Sequence, residues 1–296
     1  MTRILVTGKN GQVGWELQRS LQCLGEVIAA DRALFDLAQP ETLTAKLDEI
    51  APDVIVNAAA YTAVDKAESE EALATRVNGE APGVIAAWAA RRGALMLHYS
   101  TDYVFDGSGS SPWKPSDPPA PLSAYGRSKL AGELAISAAG GDYLVLRTSW
   151  VYAARGRNFL LTILRLAEER DELRVVDDQW GAPTSARLIA DVTAQVIARA
   201  VVERRAASFR SQIAHLTASG ATTWHAFAAA ILAAAKQAGR PVKTKSLAAI
   251  PSNAYPTPAR RPHNSRLECT GLAQRFGITL PVWRAGLNLC FEEVLP

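Results

Sequence analysis

Cysteine, histidine and long apolar runs are scarce in this sequence of 296 residues, and each shortage excludes a class of protein. Its three cysteines, Cys23, Cys269 and Cys290, lie far apart, so we expect neither a disulfide framework nor a zinc site. The four histidines show no metal-ligand spacing either. No apolar run approaches the ~18 residues that span a bilayer, and the start of the chain has no signal-peptide pattern. We therefore predict a cytoplasmic protein that makes no contact with a membrane and binds no metal.

Charge of one sign is not in large excess. The 32 Lys and Arg residues against 29 Asp and Glu residues give a formal net charge of +3, and no basic stripe alternates with aromatic residues. These observations argue against nucleic acid as a partner, although a local positive site for diphosphates would fit. Aromatic residues make up 7%, and the apolar fraction of 48% is typical of an α/β protein with alanine-rich helices.

The first fifty residues have the pattern of a nucleotide site. A short apolar strand, 4–6, runs directly into Gly8-Lys9-Asn10-Gly11-Gln12-Val13-Gly14, and a predicted helix follows over 15–24. Glycines permit a tight turn and let backbone N–H groups approach a pyrophosphate, which the helix N-terminus also attracts. A plain strand-to-helix connection is the alternative. The acid Asp31, which ends the next apolar run, favours the nucleotide.

The preference between NADH and NADPH stays open at this stage. Asp31 would accept a hydrogen bond from the ribose 2′-OH and favour NADH, whereas the neighbouring Arg32 could bind a 2′-phosphate. A third strand, 54–56, leads into small residues that would let the backbone lie against a cofactor. Asp36 precedes that strand, in a loop that could reach the adenine.

Tyr125 and Lys129 are four residues apart, so they share one face of a predicted helix. An ammonium beside a phenol lowers the phenol's pKa, which creates a proton donor for the reduction of a ketone by a nicotinamide. The strand 95–97 delivers Thr101 nearby, at the edge where parallel sheets bind ligands. A solvated lysine beside a half-buried tyrosine is the alternative interpretation.

Alternating strands and helices predict an α/β fold, a doubly wound parallel sheet of Rossmann type, with a smaller α+β region. We place the NAD(P)-binding domain over 1–152 and a mainly nucleotide-sugar-binding region over 153–296. The loop 108–121 contains five prolines, and we predict a rigid surface connection there in preference to a gate. The other predicted helices are 43–50, 81–91, 158–170, 187–204 and one within 221–239, with a strand at 174–176.

Seven segments match one protein family in register and extend over nearly the whole chain. They are Gly8–Leu17, Asn57–Glu68, Ser100–Gly107, Tyr125–Glu133, Arg147–Tyr152, Asp178–Thr184 and Tyr255–Ser265. On these segments the chain resembles the extended short-chain dehydrogenase/reductases, and within them the dTDP-4-dehydrorhamnose reductases. The resemblance implies reduction of dTDP-4-dehydro-β-L-rhamnose to dTDP-L-rhamnose by hydride transfer from NADPH or NADH.

The resemblance also implies roles for individual residues. Tyr125 would protonate the C4 oxygen, Thr101 would hydrogen-bond the same oxygen, and Lys129 would bind the nicotinamide ribose and lower the Tyr125 pKa. Asn78 matches an asparagine that often completes a proton relay, with a polar helix residue as the alternative. The implied substrate-binding residues are Thr101, Asp102, Tyr103, Trp150 and Arg261. The implied cofactor-binding residues are Gly8, Gly11, Gln12, Val13, Gly14, Asp31, Arg32, Asp36, Leu37, Ala58, Ala59, Ala60, Tyr61, Thr62, Tyr99, Tyr125 and Lys129.

Several alternatives remain beside this interpretation. Tyr103 stands where nucleotide-sugar 4,6-dehydratases typically carry a glutamate, so the elimination chemistry would lack an acid/base group. A reductase or epimerase of another nucleotide sugar, or a non-catalytic NADP-binding regulatory subunit, stays open. Trp150 could be a core aromatic and Arg261 part of a solvated basic patch. Some relatives are described as magnesium-dependent dimers, but Arg187 stands where an acid might serve, so we predict no metal and leave a homodimer open.

Overall fold

The computed structural model describes residues 1–294, which form alternating strands and helices over most of their length. The strands are β1 (Arg3–Thr7), β2 (Glu26–Ala30), β3 (Val54–Asn57), β4 (Leu95–Thr101), β5 (Tyr143–Thr148), β6 (Val151–Tyr152), β7 (Glu172–Val176), β8 (Trp180–Gly181), β9 (Thr184–Ser185), β10 (Gln212–His215), β11 (Thr222–Thr223) and β12 (Ser246–Ile250). The α-helices are α1 (Gln12–Ser20), α2 (Pro40–Ile50), α3 (Val64–Ala67), α4 (Glu71–Thr75), α5 (Ala81–Arg92), α6 (Ala124–Ala138), α7 (Phe159–Glu169), α8 (Ala186–Arg205), α9 (Trp224–Gln237), α10 (Thr270–Phe276) and α11 (Trp283–Val294). A π-helical turn, Arg76–Glu80, joins α4 to α5, and short 3₁₀ turns cover Asp102–Val104 and Ser252–Ala254.

Six strands form one parallel sheet in the order β10-β5-β4-β3-β1-β2. Leu5 of β1 is paired with Ile28 of β2 on one side and with Ile55 of β3 on the other. The order in which strands are added therefore reverses at β1, with β2 on one side of it and β3 on the other. The carboxyl ends of β1 and β3 border a crevice of the kind that binds ligands. The predicted doubly wound Rossmann-type sheet is confirmed.

Helices cover both faces of this sheet, which explains why its central strands are apolar throughout. Side chains alternate along a strand, so Ile4 and Val6 pack against α1, α8 and α10, whereas Leu5 packs on the opposite face with α2, α5 and α6. All three side chains are fully buried. The sheet is thus a rigid platform that delivers the loops at its carboxyl edge.

A second region is packed around Phe227, between α7, α9 and α11. Short sheets join β7 to β12, β8 to β11 and β6 to β9 in this half of the chain. The division that we predicted at residue 152 is crossed, however, because β10 is an edge strand of the main sheet and α8 packs on it. Residues beyond 152 therefore contribute to both regions, since α7 of the second region comes before α8 and β10 of the first.

Side-chain caps explain where several predicted helices begin. Asn158 accepts from the backbone N–H of Leu161 at 3.0 Å at the start of α7, and Ser123 caps α6 in the same way. The predicted helices 158–170 and 187–204 are confirmed to within two residues of the observed ends. The first helix instead starts at Gln12, inside the glycine turn, and ends at Ser20. Over the part of the chain that the structure describes, no helix has the length and apolar character needed to cross a bilayer.

Candidate active site

The glycine turn between β1 and α1 has no room for a side chain at Gly8 or Gly14. Gly8 has a φ of +72°, and its carbonyl accepts from the N–H of Gly11 at 2.9 Å. A Cβ at Gly14 would lie 2.1 Å from the oxygen of Gly8, and one at Gly8 would lie 2.9 Å from the Cα of Ala59. The turn is therefore closed by backbone contacts at the start of a helix, a cradle that fits the pyrophosphate of a dinucleotide.

We expect Gly14→Ala to weaken NADPH binding by about tenfold or more, because the backbone of Gly8 would have to move and the cradle would widen. Fluorescence titration with NADPH measures the change. Gly271→Ala on α10 is the matched control, since an added Cβ there meets no atom within 4 Å. Equal affinities of the two variants would contradict a pyrophosphate cradle at Gly14.

Asp31, at the end of β2, already has a cation beside it. Its Oδ2 lies 2.9 Å from Nζ of Lys9, and its Oδ1 accepts from the N–H of Ala33 at 3.1 Å. The bond to Lys9 holds the pKa of Asp31 below its ordinary value. With Arg32 exposed next to it, this end of the site presents an acid for a 2′-OH and two cations for a 2′-phosphate. Lys9 was not among the predicted site residues.

The residues predicted to contact the adenosine, and the non-glycine residues of the turn, differ in burial and in hydrogen-bond partners. Asp36 caps a turn by accepting from the N–H of Ala38 at 3.0 Å, and the side chain of Leu37 is buried in the core, which leaves its backbone for ligand contact. Val13 is half-buried against the sheet, whereas Gln12 accepts from Nδ2 of Asn158 at 2.9 Å. Asn158, which sequence analysis treated only as the start of a helix, therefore ties the glycine turn to α7.

The segment after β3 runs along the same edge. Ala58, Ala59 and Ala60 are half-buried, and Thr62 is exposed. Tyr61 donates from its hydroxyl to Glu70 at 2.7 Å, so that side chain is directed to α4. Only the small residues leave the backbone accessible at this edge of the sheet.

Asn78 does not make the predicted relay contact with its side chain. Its Oδ1 accepts from the N–H of Tyr61 at 2.8 Å, and its Nδ2 donates to Tyr61 O and to Ser128 Oγ, both at 3.0 Å. The residue lies on the π-helical turn and is buried. These bonds tie the turn to α6 and to the segment after β3, so the polar alternative describes Asn78 better than a proton relay.

Tyr125 and Thr101 lie together at the carboxyl end of β4. Burial and the Asp102 carboxylate raise the pKa of Tyr125 to about 12, and a hydrogen bond to Thr101 acts in the opposite direction. The ring of Tyr103 packs edge-on against that of Tyr125, with centroids 5.5 Å apart. The pKa of Tyr125 is therefore raised, not lowered as the sequence predicted, because desolvation disfavours the phenolate.

Lys129 is almost completely buried on α6, one turn after Tyr125. Its Nζ donates to the carbonyl oxygen of Tyr99 at 2.7 Å and lies 3.0 Å from Nε2 of His98. Burial lowers the pKa of Lys129 to about 8, against a weaker opposite effect of Glu133. Tyr99 therefore contributes its carbonyl to the site, while its hydroxyl is bonded to Thr193 in the core.

The carboxyl ends of β4 and β5 carry further polar groups. Burial raises the pKa of Asp102 to about 6, although its Oδ1 accepts from the Thr101 hydroxyl at 3.0 Å. The hydroxyls of Ser100, Thr148 and Ser149 are buried and have no hydrogen-bond partner among residues 1–294. Buried hydroxyls usually have partners, so these groups are suited to the hydroxyls of a sugar. Sequence analysis missed all three because serine and threonine are common at strand ends.

Trp150 forms a wall of the site in a backbone conformation that few tryptophans adopt. Its φ is +50°, and its half-buried ring is stacked on Trp224 with centroids 3.6 Å apart. A Cβ at Gly181 would lie 2.5 Å from Cε2 of Trp150. Strain of this kind concentrates at functional sites, which favours substrate contact over a plain core role. Trp224 comes from a distant helix and was not predicted.

Arg261 is paired within the protein. Its Nη1 and Nη2 donate to the two carboxylate oxygens of Asp65 at 3.0 and 2.9 Å. The bond to the guanidinium lowers the pKa of Asp65. The pair joins α3 to the segment 259–267, and it leaves Arg261 less free to bind a diphosphate than the sequence suggested. Asp65 lies within a matching segment of the sequence but was not singled out.

One of the two acids near the end of α11 is paired with an arginine. Arg187 forms ion pairs with Glu293 and, at 3.4 Å, with Glu16. No group of three or more His, Cys, Asp or Glu side chains that could hold a metal ion occurs within 1–294. The absence of a metal stays a prediction.

Comparison with known proteins gave matches over the whole chain. The family model for the RmlD substrate binding domain matches residues 1–295. A dTDP-4-dehydrorhamnose reductase of Burkholderia thailandensis is 56% identical, with 99% of both chains covered. One from Escherichia coli is 49% identical, over 98% of this chain and 97% of the relative. The solved structure of the dTDP-4-dehydrorhamnose reductase of Bacillus anthracis in complex with NADP matches with a TM-score of 0.88 and 31% sequence identity. The match covers 99% of this chain and 100% of the Bacillus anthracis chain.

Proposed function

This chain belongs to the dTDP-4-dehydrorhamnose reductase family, and on that premise we propose how its own residues perform the reaction. The chain reduces dTDP-4-dehydro-β-L-rhamnose to dTDP-L-rhamnose with NADPH or NADH, a step of dTDP-rhamnose biosynthesis. The observation that carries our assignment of residues is the position of Tyr125 beside Thr101 at the carboxyl end of a central parallel strand. Ligands bind at that edge in doubly wound sheets.

The glycine turn 8–14 and the alanines after β3 are proposed to hold the dinucleotide, with Asp31, Lys9 and Arg32 around the adenosine ribose. The Gly14 and Gly8 contacts support this assignment, because a Cβ at either position would overlap neighbouring backbone atoms and open the tight turn. When bound, the reduced nicotinamide supplies the hydride that goes to C4 of the sugar. Lys129 is proposed to bind the nicotinamide ribose with its buried ammonium.

Tyr125 is proposed to donate its phenolic proton to the C4 oxygen while C4 receives the hydride. A pKa of about 12 keeps the phenol protonated at neutral pH, so the group arrives at the reaction as an acid. Thr101 would donate to the same oxygen by turning its hydroxyl proton away from Asp102, to which it donates in this structure, while the N–H of Tyr103 holds the hydroxyl oxygen in place. The proton then returns to Tyr125 from solvent between turnovers.

The sugar nucleotide is proposed to lie against Trp150, Tyr103 and the buried hydroxyls at the ends of β4 and β5. Burial of these groups and the stacked tryptophans support a shaped, largely dry pocket on that side. Arg261 is proposed to contribute near the diphosphate through the edge that Asp65 leaves free. Arg261 and Trp224, which is stacked on Trp150, come from beyond residue 152, and supporting the substrate side is the proposed role of the second region.

We expect Gly181→Ala to raise the KM for the nucleotide sugar by about tenfold, because the added methyl would push Trp150 out of place. The Kd for NADPH should stay within about twofold of the wild-type value, since the added methyl of Gly181→Ala would meet Trp150 first. Steady-state kinetics and a binding titration on the same preparation measure both values. A raised Kd for NADPH with an unchanged KM would contradict the proposed placement of Trp150.

The test of the function is oxidation of NADPH, followed by loss of its absorbance, with dTDP-4-dehydro-L-rhamnose generated in the cuvette. The product should be dTDP-L-rhamnose, identified by chromatography and mass spectrometry. The same keto sugar on UDP is the control for nucleotide recognition. A wild-type protein that binds NADPH but oxidises it with neither keto sugar would reject the proposed reaction.

We also propose a reducing, cytoplasmic location, which the three free thiols Cys23, Cys269 and Cys290 support. A homodimer stays a prediction that sedimentation velocity tests directly.

A further inference from the structure

A chain of buried polar groups runs beneath the site and ends at Lys129. The Thr7 hydroxyl lies 2.6 Å from Oδ1 of Asn57, whose Nδ2 lies 3.0 Å from Nδ1 of His98. Nε2 of His98 lies 3.0 Å from Nζ of Lys129. The four residues are at most 2% exposed and come from β1, β3, β4 and α6. Lys129 is therefore linked to the centre of the sheet by hydrogen bonds.

The protonation state of Lys129 decides the roles of the atoms in this chain. An ammonium carries three donors and no lone pair, so the facing Nε2 of His98 must accept. Burial and the Lys129 charge hold the pKa of His98 well below its ordinary value of 6.5, so the ring is neutral and carries its proton on Nδ1. That proton requires the amide oxygen of Asn57 opposite it. The structure places Nδ2 of Asn57 at this position, so its amide must be turned by 180°; this exchanges the oxygen and nitrogen without moving any other atom, and Nδ2 then donates to the Thr7 hydroxyl oxygen.

We propose that His98 is a positioning residue whose Nε2 accepts a hydrogen bond from the Lys129 ammonium and holds it, charged, in its place beside Tyr125. The inference rests on the proposed function of Lys129. Asn57 sets the ring tautomer, and Tyr99 provides the second acceptor through its carbonyl at 2.7 Å. His98 touches neither the acid nor the reacting carbonyl, so it acts through Lys129.

The other charged and titratable groups around Lys129 are fixed in pairs or protonated, except Asp102, which a pKa of about 6 leaves ionised at neutral pH. Glu133, one turn further along α6, accepts from Arg147 at 2.9 and 2.6 Å, which commits its charge to that partner. Burial raises the pKa of Tyr103 as it does that of Tyr125. The groups that face Lys129 or its helix are Tyr125 and Glu133 on α6, His98 and Tyr99 on β4, Arg147 on β5, and Asp102 and Tyr103 in the turn after β4.

Removing the Nε2 acceptor of His98 should lower the pKa of Lys129 further. The folded-state pKa of Lys129, about 8, is below its ordinary value of 10.5, so activity that needs the ammonium is present below pH 8 and is lost above it. His98→Leu deletes an acceptor that stabilises the ammonium more than the neutral amine, because hydrogen bonds from a charged donor are the stronger ones. We expect the alkaline limb of kcat/KM to move down by about one pH unit or more in His98→Leu, with a higher KM for NADPH.

His98→Gln tests the acceptor itself, because its Oε1 is the same number of bonds from the backbone as Nε2. We expect this variant to restore most of the wild-type alkaline limb. His215→Leu is the matched control: His215 is an equally buried histidine on β10, two strands away, with its ring against Phe105. Equal alkaline limbs in wild type, His98→Leu and His98→Gln would overturn the proposal, and so would a shift of the same size in His215→Leu.

A spectroscopic test does not need activity. In protein labelled with ¹⁵N-histidine, the signals absent from His98→Gln belong to His98, and their shifts and couplings report the tautomer. We expect a neutral ring with the proton on Nδ1 at pH values below the Lys129 transition. An imidazolium or an Nε2–H tautomer in the same range would overturn the proposal. If the wild-type protein is inactive but His98 has the Nδ1–H tautomer, the proposed reaction is contradicted, whereas the proposed His98–Lys129 hydrogen bond is supported.

Discussion

Tyr125→Phe will lower kcat by about 10²- to 10⁴-fold and leave the Kd for NADPH nearly unchanged, because it removes the proton donor and little else. The phenol is hydrogen-bonded to Thr101 at the carboxyl end of β4, and its ring packs edge-on against Tyr103 at a centroid distance of 5.5 Å. Phenylalanine keeps that packing. The lost step is protonation of the C4 oxygen, which water can replace only poorly in a buried site.

Tyr143→Phe is the control for the loss of a tyrosine hydroxyl. Tyr143 begins β5, and its hydroxyl donates to Ser137 at 3.1 Å in an exposed position away from the site. We expect full activity from this variant. Single-turnover measurements with NADPH in excess would separate chemistry from product release. Full turnover by Tyr125→Phe would show that another group protonates the ketone.

Breaking the buried ion pair between Arg147 and Glu133 should give the largest loss of stability. Both side chains are 2% exposed, the pair is bidentate at 2.9 and 2.6 Å, and the guanidinium lies 5.0 Å from the centre of the Phe105 ring. Arg147→Met leaves the Glu133 carboxylate buried without a partner. We expect the free energy of unfolding to fall by about 3–5 kcal/mol.

The double variant Arg147→Met/Glu133→Leu removes both charges and should recover much of that loss, since two apolar side chains of similar size leave no charge to solvate. Urea titration followed by circular dichroism measures all three proteins. The exposed pair Arg165 and Glu169 on α7, at 2.8 Å, is the control, and Arg165→Met should cost less than about 1 kcal/mol. Equal losses in Arg147→Met and Arg165→Met would refute the argument from burial.

The glycine turn and the Tyr125–Lys129 pair could be predicted because each is a local pattern. A strand, a turn and a helix follow one another within fifteen residues, and two side chains four apart on a helix are neighbours whatever the rest of the chain does. The alternation of strands and helices similarly predicts a parallel sheet, and a parallel sheet requires ligand sites at its carboxyl edge.

The pKa values of Tyr125 and Lys129 could not be predicted from local sequence patterns. From the sequence, Lys129 should lower the pKa of Tyr125, yet burial raises that pKa to about 12 and lowers that of Lys129 to about 8. Desolvation depends on every atom packed around a group. His98, Asn57 and Glu133, which surround the ammonium, come from two strands and a later turn of the helix.

The residues proposed to bind the substrate show the same difference between what local patterns predict and what distant segments contribute. Trp150 and Arg261 were identified from matching segments, but Trp224 and Asp65, which hold them, are 74 and 196 residues away in the chain. Residues far apart in sequence meet only after the sheet has formed and its loops have been brought to one edge. The sequence by itself determined the fold class and predicted the nucleotide turn, the proposed acid and its lysine, since these depend on local spacing. The tertiary structure alone decided their pKa values and their partners, since both depend on packing from distant segments.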